Sequence, residues 1–222
     1  MRLSAPALLL AFLLAVFSIA APNPASTDNY ITDLIADVKP LQWASVNPFT
    51  GEGVLGNHCT AGFINRKDNY WLTAAHCVTD WNTGEVIPAL YFIDGMPATI
   101  VVVDVAHDLA VLQTQGYAAK PLRLAKTNVW WVSEIKMAGY PLGVGPFMVQ
   151  GRIANPRWPW QDRHYTIYNI SGCQGNSGSP VVNMKDELIG VLQVGFGQPC
   201  STLMGGALLS EIRMSVGSYF ER

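Results

Sequence analysis

The sequence predicts an all-β fold, a barrel or a sandwich, with one helix at its C-terminal end. Three observations predict it. From Val54 onward, short apolar runs rich in β-branched and aromatic residues recur between Gly, Pro, Asn and Asp. These runs do not alternate with long helical patterns, which argues against a parallel α/β sheet. Only the tail changes period: Leu208, Leu209, Ile212, Val216, Tyr219 and Phe220 lie at helical spacing, as an amphipathic helix requires.

Taken in order, residues 1–20 read as a secretory signal peptide. Arg2 supplies a minimal positive start, residues 8–19 an apolar stretch, and Ser18-Ile19-Ala20 the small residues of a cleavage site. The apolar stretch is shorter than the roughly 20 residues a spanning helix needs. Residues 21–50 read as a lead-in or a removable propeptide, opening with a Pro- and Ala-rich stretch. Within it, residues 31–38 fit a helical turn or a strand equally well. Strands are expected at 61–65, 70–74, 89–93, 99–105, 109–113, 135–139, 147–153, 165–170, 180–183, 188–194 and 206–209. Residues 156–164 (PRWPWQDRH) read as a turn-rich surface loop whose tryptophans cap a barrel end.

Composition narrows the function classes. Of 222 residues, about 200 remain after the signal peptide, enough for one β-rich domain or two small packed units. Net charge is −2 and no basic run appears, which excludes nucleic acid as the expected partner. No later segment is long and apolar enough to span a bilayer, so no membrane association is expected after cleavage. The four cysteines behind a secretory signal are expected to pair, and three pairings are open. They do not form C-x-x-C, and no histidine cluster has zinc-ligand spacing, so neither metal nor cofactor is expected.

The residues that can do chemistry begin with Gly175-Asn176-Ser177-Gly178-Ser179-Pro180. A serine between glycines can sit on a tight turn with its hydroxyl exposed. The N–H groups of Gly175 and Ser177 can then aim at one point, an arrangement that stabilises charge developing on a carbonyl oxygen. The strand-like Pro180-Val181-Val182 follows at once, where the nucleophile elbow of an α/β-hydrolase would start a helix. A serine hydroxyl needs a base. His76 follows an apolar run ending in small residues, Leu72-Thr73-Ala74-Ala75, which lets an imidazole emerge at a strand end. The base needs a group that fixes its tautomer. Asp108 sits at the entrance of the apolar run 109–112, where a carboxylate is costly to bury unless paired. Asp80, Asp94 and Asp104 lack that setting.

At these three motifs the sequence resembles the chymotrypsin-like serine peptidases. Thr73 to Cys77 match the family's T-A-A-H-C, Asp108 to Leu112 its D-[IL]-A-[LV]-[LI], and Gly175 to Pro180 its G-[DN]-S-G-[GS]-P. The resemblance implies two six-stranded antiparallel barrels, over residues 51–118 and 119–222, with the active site between them and the short helix at the end. It implies catalysis by His76, Asp108 and Ser177, with an oxyanion hole of Gly175 and Ser177. It also implies the pairings Cys59–Cys77 and Cys173–Cys200, and a specificity pocket with Ser171 at its base and Val194, Gly195 and Phe196 along one wall.

Departures refine the resemblance. Asn176 stands where zymogen-type members carry an aspartate that pairs with a newly cut N-terminus, so that switch is not expected. In this respect, and in Gly139-Tyr140-Pro141-Leu142-Gly143 and Gly151-Arg152-Ile153, the chain is similar to the HtrA and glutamyl-endopeptidase branch. Gln193 stands where the family commonly has a serine supporting the catalytic aspartate. With Ser171 at its base, the pocket favours an apolar or small residue over Arg or Lys. Asn169-Ile170-Ser171 is a glycosylation sequon overlapping the pocket strand and is expected to stay unmodified. The expected protein is thus a secreted, monomeric serine endopeptidase, extracellular or periplasmic, acting on protein or peptide substrates. Its activity should fall toward mildly acidic pH as the His76 imidazole protonates. The alternative is a non-catalytic secreted homologue that binds or regulates.

Overall fold

The computed structural model describes residues 34–46, 53–55 and 59–221. The expected signal peptide and the first part of the expected lead-in lie outside the described residues. The strands of the first half are β1 (Val38–Val46), β2 (Gly53–Leu55), β3 (Cys59–Asn65), β4 (Tyr70–Thr73), β5 (Leu90–Ile93), β6 (Met96–Asp104) and β7 (Leu109–Gln113). Those of the second are β8 (Arg123–Leu124), β9 (Glu134–Gly139), β10 (Phe147–Trp160), β11 (Arg163–Asn169), β12 (Gly172–Cys173), β13 (Pro180–Asn183), β14 (Glu187–Gly195), β15 (Cys200–Ser201) and β16 (Met204–Gly206). Helix α1 (Leu209–Ser215) and a 3-10 turn (Gly217–Tyr219) close the chain.

Two closed antiparallel barrels result, each of six strands. The first runs β1-β3-β4-β7-β6-β5 and returns to β1, with β2 paired outside on β1. The second runs β9-β10-β11-β16-β14-β13 and returns to β9, with β8 parallel to β14. Closure leaves the barrel strands without a free edge. Strand β1 is a full member of the first barrel, although residues up to 50 read as lead-in from the sequence. Residues 34–36 make the helical turn before it.

The continuous apolar runs of the sequence have a structural reason. In β7, Leu109 and Val111 face a core shared between the barrels, while Ala110 and Leu112 face the first barrel's interior. The same division separates Leu72 from Trp71 in β4, and Val182 from Val181 in β13, whose inner face is the second barrel's interior. Strands buried on both faces cannot show polar alternation. Ile212, Val216 and Phe220 pack into the shared core, so the C-terminal tail seals the seam. The Glu211 carboxylate accepts from the Leu208 N–H at 3.1 Å and caps the start of α1.

One expectation is corrected. Residues 156–164 are not a loop: β10 and β11 form a long hairpin that continues to Trp160 and restarts at Arg163. Register shifts between Ile153 and Trp158 bend the ribbon and break the alternation that would have marked it as strand. Trp160 packs on Tyr165 and Phe196.

Candidate active site

Each candidate side chain sits where a strand ends. His76 lies in the 3-10 turn Ala75–Cys77 that follows β4. Asp108 lies in the turn between β6 and β7, and Ser177 in the turn between β12 and β13. The first two therefore come from one barrel and the third from the other.

Asp108 and His76 are tightly joined. The imidazole Nδ1 lies 2.9 Å from Asp108 Oδ2 and 3.1 Å from Oδ1, and the His76 backbone N–H donates to Oδ1 at 2.9 Å. With Nδ1–H held by the carboxylate, Nε2 is the ring nitrogen left to accept a proton. Asp108 adopts φ +50°, the left-handed region that a non-glycine residue occupies at a cost. Gln193 holds it there: its Nε2 donates to the carbonyls of His107 and Asp108, at 2.8 Å each. Arg163 donates to the Gln193 Oε1 at 3.3 Å. Thus Gln193 supports the backbone of Asp108 rather than its carboxylate. The neighbouring Tyr165 phenol is pushed up by burial, pulled back by Arg163, and raised further by Asp108 and Glu211.

The serine turn is fixed from the opposite barrel. The Thr60 N–H donates to the Ser177 carbonyl at 2.8 Å, and the Thr60 hydroxyl donates to the Gly175 carbonyl at 2.9 Å. That hydroxyl also accepts from the Tyr140 N–H at 3.0 Å. The Leu142 N–H donates to the Gln174 carbonyl at 2.6 Å. Among the described residues, no acceptor meets the N–H of Gly175 or of Ser177. Both flanking glycines are required. A β-carbon on Gly175, at φ +96°, would lie 2.4 Å from the Tyr140 carbonyl oxygen. One on Gly178, at φ +82°, would lie 2.2 Å from the Thr60 carbonyl oxygen.

His76, Gly175 and Ser177 line one cleft of about 530 Å³, together with Trp43, Trp81, Leu142 and the Cys59–Cys77 bridge. The Trp81 ring meets the His76 ring edge-on at 5.6 Å. Asp80 also lines the cleft; the Thr83 and Asn82 backbone N–H groups hold its carboxyl below the usual carboxylate range. A second recess of about 270 Å³ adjoins Ser177 and is walled by Gly172, Cys173, Val194 and Gly195, with Met204 among its lining residues.

The sequence-selected residues divide accordingly. His76 and Asp108 are in contact, while Ser177 and Gly175 share their cleft. Val194 and Gly195 line the recess. Ser171 is exposed and does not line it, and Phe196 turns instead onto Trp160 with ring centroids 5.2 Å apart. Cys59 is bonded to Cys77 and Cys173 to Cys200. Asp104 pairs with His107 at 2.7 Å and Asp94 with Lys39 at 3.3 Å. Sequence reasoning missed Thr60, Trp43, Trp81 and Met204, whose roles depend on what lies opposite them. Among the described residues, the one group of possible metal ligands is Cys59, His76 and Cys77, and its two sulfurs are spent on the disulfide.

The trypsin-like peptidase domain family matches residues 59–191, a span that includes His76, Asp108 and Ser177. A probable periplasmic serine endoprotease DegP-like from Ectopseudomonas mendocina (strain ymp) is 29% identical over 135 residues, covering 59% of this chain and 28% of that protein. The mitochondrial serine protease HTRA2 of Bos taurus is 28% identical over 196 residues, covering 82% of this chain and 42% of that protein. The chain thus spans less than half the length of these relatives. Among solved structures, the HtrA-type protease AlgW with a decapeptide superposes with a TM-score of 0.68 at 18% identity, covering 87% of this chain and 66% of that one. The active form of the Rv3671c protease from M. tuberculosis gives 0.63 at 20% identity, covering 89% and 87%. In sequence and in fold, the chain belongs to the trypsin-like peptidase domain family, and DegP-like and HtrA-type proteases are among the proteins it is similar to.

Proposed function

We propose that this chain is a secreted serine endopeptidase that cleaves peptide bonds through an acyl-enzyme, with Ser177 as nucleophile. The observation that carries the reading is the two-point contact between the His76 ring and the Asp108 carboxylate, at the rim of the cleft that Ser177 lines. The carboxylate holds Nδ1–H, so Nε2 takes the Ser177 hydroxyl proton as Oγ bonds to the scissile carbonyl carbon. The negative charge on the carbonyl oxygen is met by the N–H groups of Gly175 and Ser177, worth about 10²–10³ in kcat per donor. Collapse breaks the C–N bond, and His76 hands its proton to the leaving amine. Water then repeats the sequence, giving its proton to His76 as it attacks the ester, and Ser177 leaves reprotonated. No cofactor enters these steps.

Two disulfides and the likeness to a periplasmic relative support an extracellular or periplasmic site of action. The substrate is a protein or peptide, and the enzyme works as a monomer. Labelling with a fluorophosphonate probe tests the reading. The secreted protein should label, Ser177→Ala should not, and His76→Ala should label at least about 100-fold more slowly. Absence of labelling in the unsubstituted protein would sink it and favour a non-catalytic binding homologue.

A further inference from the structure

The turn between β8 and β9 carries apolar side chains that the core does not use. Trp130, Trp131 and Val132 are consecutive, and they are 72%, 57% and 69% exposed. The turn itself is firmly held. The Val132 N–H donates to the Ile153 carbonyl at 2.9 Å, and the Ile153 N–H donates to the Ser133 carbonyl at 3.0 Å. The Ser133 N–H closes the turn on the Trp130 carbonyl at 3.3 Å. Val132 adopts φ +57°, a left-handed conformation that is an outlier for a β-branched residue. Backbone strain of this kind collects at sites that bind.

Charge and hydrogen-bonding capacity narrow what the turn can bind. Arg157 lines a groove of about 340 Å³ together with Trp130, Trp131, Pro156 and Leu208. Lys126 precedes the turn in the same connection. Both cations are exposed, and neither has a carboxylate partner among the described residues. Glu134, which follows the turn, is paired with Arg152 at 3.4 Å, and the Glu211 carboxylate is bonded to the Leu208 N–H. The indole N–H groups of Trp130 and Trp131 also have no acceptor among the described residues. Indoles with a free N–H, beside unpaired cations, suit the headgroup layer of a bilayer, where one end of the ring is apolar and the other wet. A fluid headgroup layer accepts a protruding tip, whereas a folded partner must offer a matching hollow.

We propose that the turn at residues 130–132 is a membrane-docking tip that seats Trp130 and Trp131 in the interface of a bilayer containing anionic phospholipid, with Lys126 and Arg157 against its headgroups. The expectation of no membrane association rested on the lack of a spanning segment, and docking at the interface needs none. The inference is independent of the chemistry at Ser177. The chain carries a net charge of −2, so its attraction to an anionic surface comes from these local cations and not from the molecule's overall charge.

Sedimentation of the secreted protein with lipid vesicles tests the inference. The probes are vesicles of phosphatidylcholine alone and of an equal mixture with phosphatidylglycerol. The protein should bind the mixed vesicles at least about 5-fold more tightly than the neutral ones, and added salt should weaken that binding. The double variant Trp130→Ala/Trp131→Ala should bind the mixed vesicles at least about 10-fold more weakly. The double variant Lys126→Gln/Arg157→Gln keeps the apolar tip and should lose most of the preference for the mixed vesicles. It also gives an independent reading if circular dichroism shows that the tryptophan variant misfolds. Failure to bind the mixed vesicles, equal binding to both kinds, or binding that the folded variants leave unchanged would overturn the proposal. So would a tryptophan-dependent dimer mass in light scattering without vesicle binding, which would give this face to a second copy of the chain.

Discussion

Asp108 shows how much of a candidate side chain's position is set by the groups that hold its backbone. Its left-handed backbone carries a cost on the order of 1–3 kcal/mol and persists only if the surroundings hold it. The holding group is Gln193, which donates to the two successive carbonyls of His107 and Asp108 from 86 and 85 positions along the chain. Replacing Gln193 by Leu removes both donors while keeping most of the volume. The expected result is a loss of about 1–3 kcal/mol in denaturant unfolding, with slower labelling of Ser177 as the imidazole loses its fixed partner. An unchanged unfolding midpoint would mean that these bonds are dispensable. From the sequence, Gln193 was visible only as a departure from the family's serine. What it bonds to could not be read, because the fold alone brings β14 beside the turn before β7. Asp108 itself was legible, since a carboxylate at the mouth of an apolar strand has few affordable partners.

At the scale of elements, the longer strands from β3 onward were legible because buried runs between turn residues have few other readings. The short strands β2, β8, β12 and β15 were not, the expected strand at 206–209 overlaps β16 only at Gly206, and two longer elements were missed. β1 lacks a clean apolar pattern, and its membership in the first barrel follows from pairing with β3 and β5. The hairpin of β10 and β11 was hidden by its register shifts, its prolines and its half-exposed tryptophans. The turn that carries His76 is pinned by Cys59–Cys77, a bridge closing a separation of 18 residues. A loop of that size is worth about 3 kcal/mol by chain entropy. The double variant Cys59→Ala/Cys77→Ala should lose about that much stability by thermal or chemical unfolding. Its labelling rate should also drop, because the His76 turn is then tied down by hydrogen bonds alone.

At the scale of the whole molecule, one shared core joins the barrels, with Leu72 and Val111 from the first, Val182 and Val191 from the second, and Ile212 and Phe220 from the tail. The barrels should therefore unfold together, with tryptophan fluorescence and far-ultraviolet circular dichroism giving coincident transitions. Phe220→Ala should shift both by the same amount, about 3–5 kcal/mol. Two separated transitions would show that the barrels are independent. By itself the sequence determined the all-β class and the helical tail, and it singled out His76, Asp108 and Ser177 as the candidates for chemistry. These follow from local pattern: the apolar period, turn residues, and side chains whose burial demands a partner. Only the tertiary structure decided that β1 closes a barrel, that Thr60 and Gln193 hold the turns of Ser177 and Asp108, and that Met204 rather than Ser171 lines the recess. Each of these depends on which segments lie opposite one another once the two barrels close and pack. No local pattern encodes that relation, because it is set by the packing of residues distant in the chain.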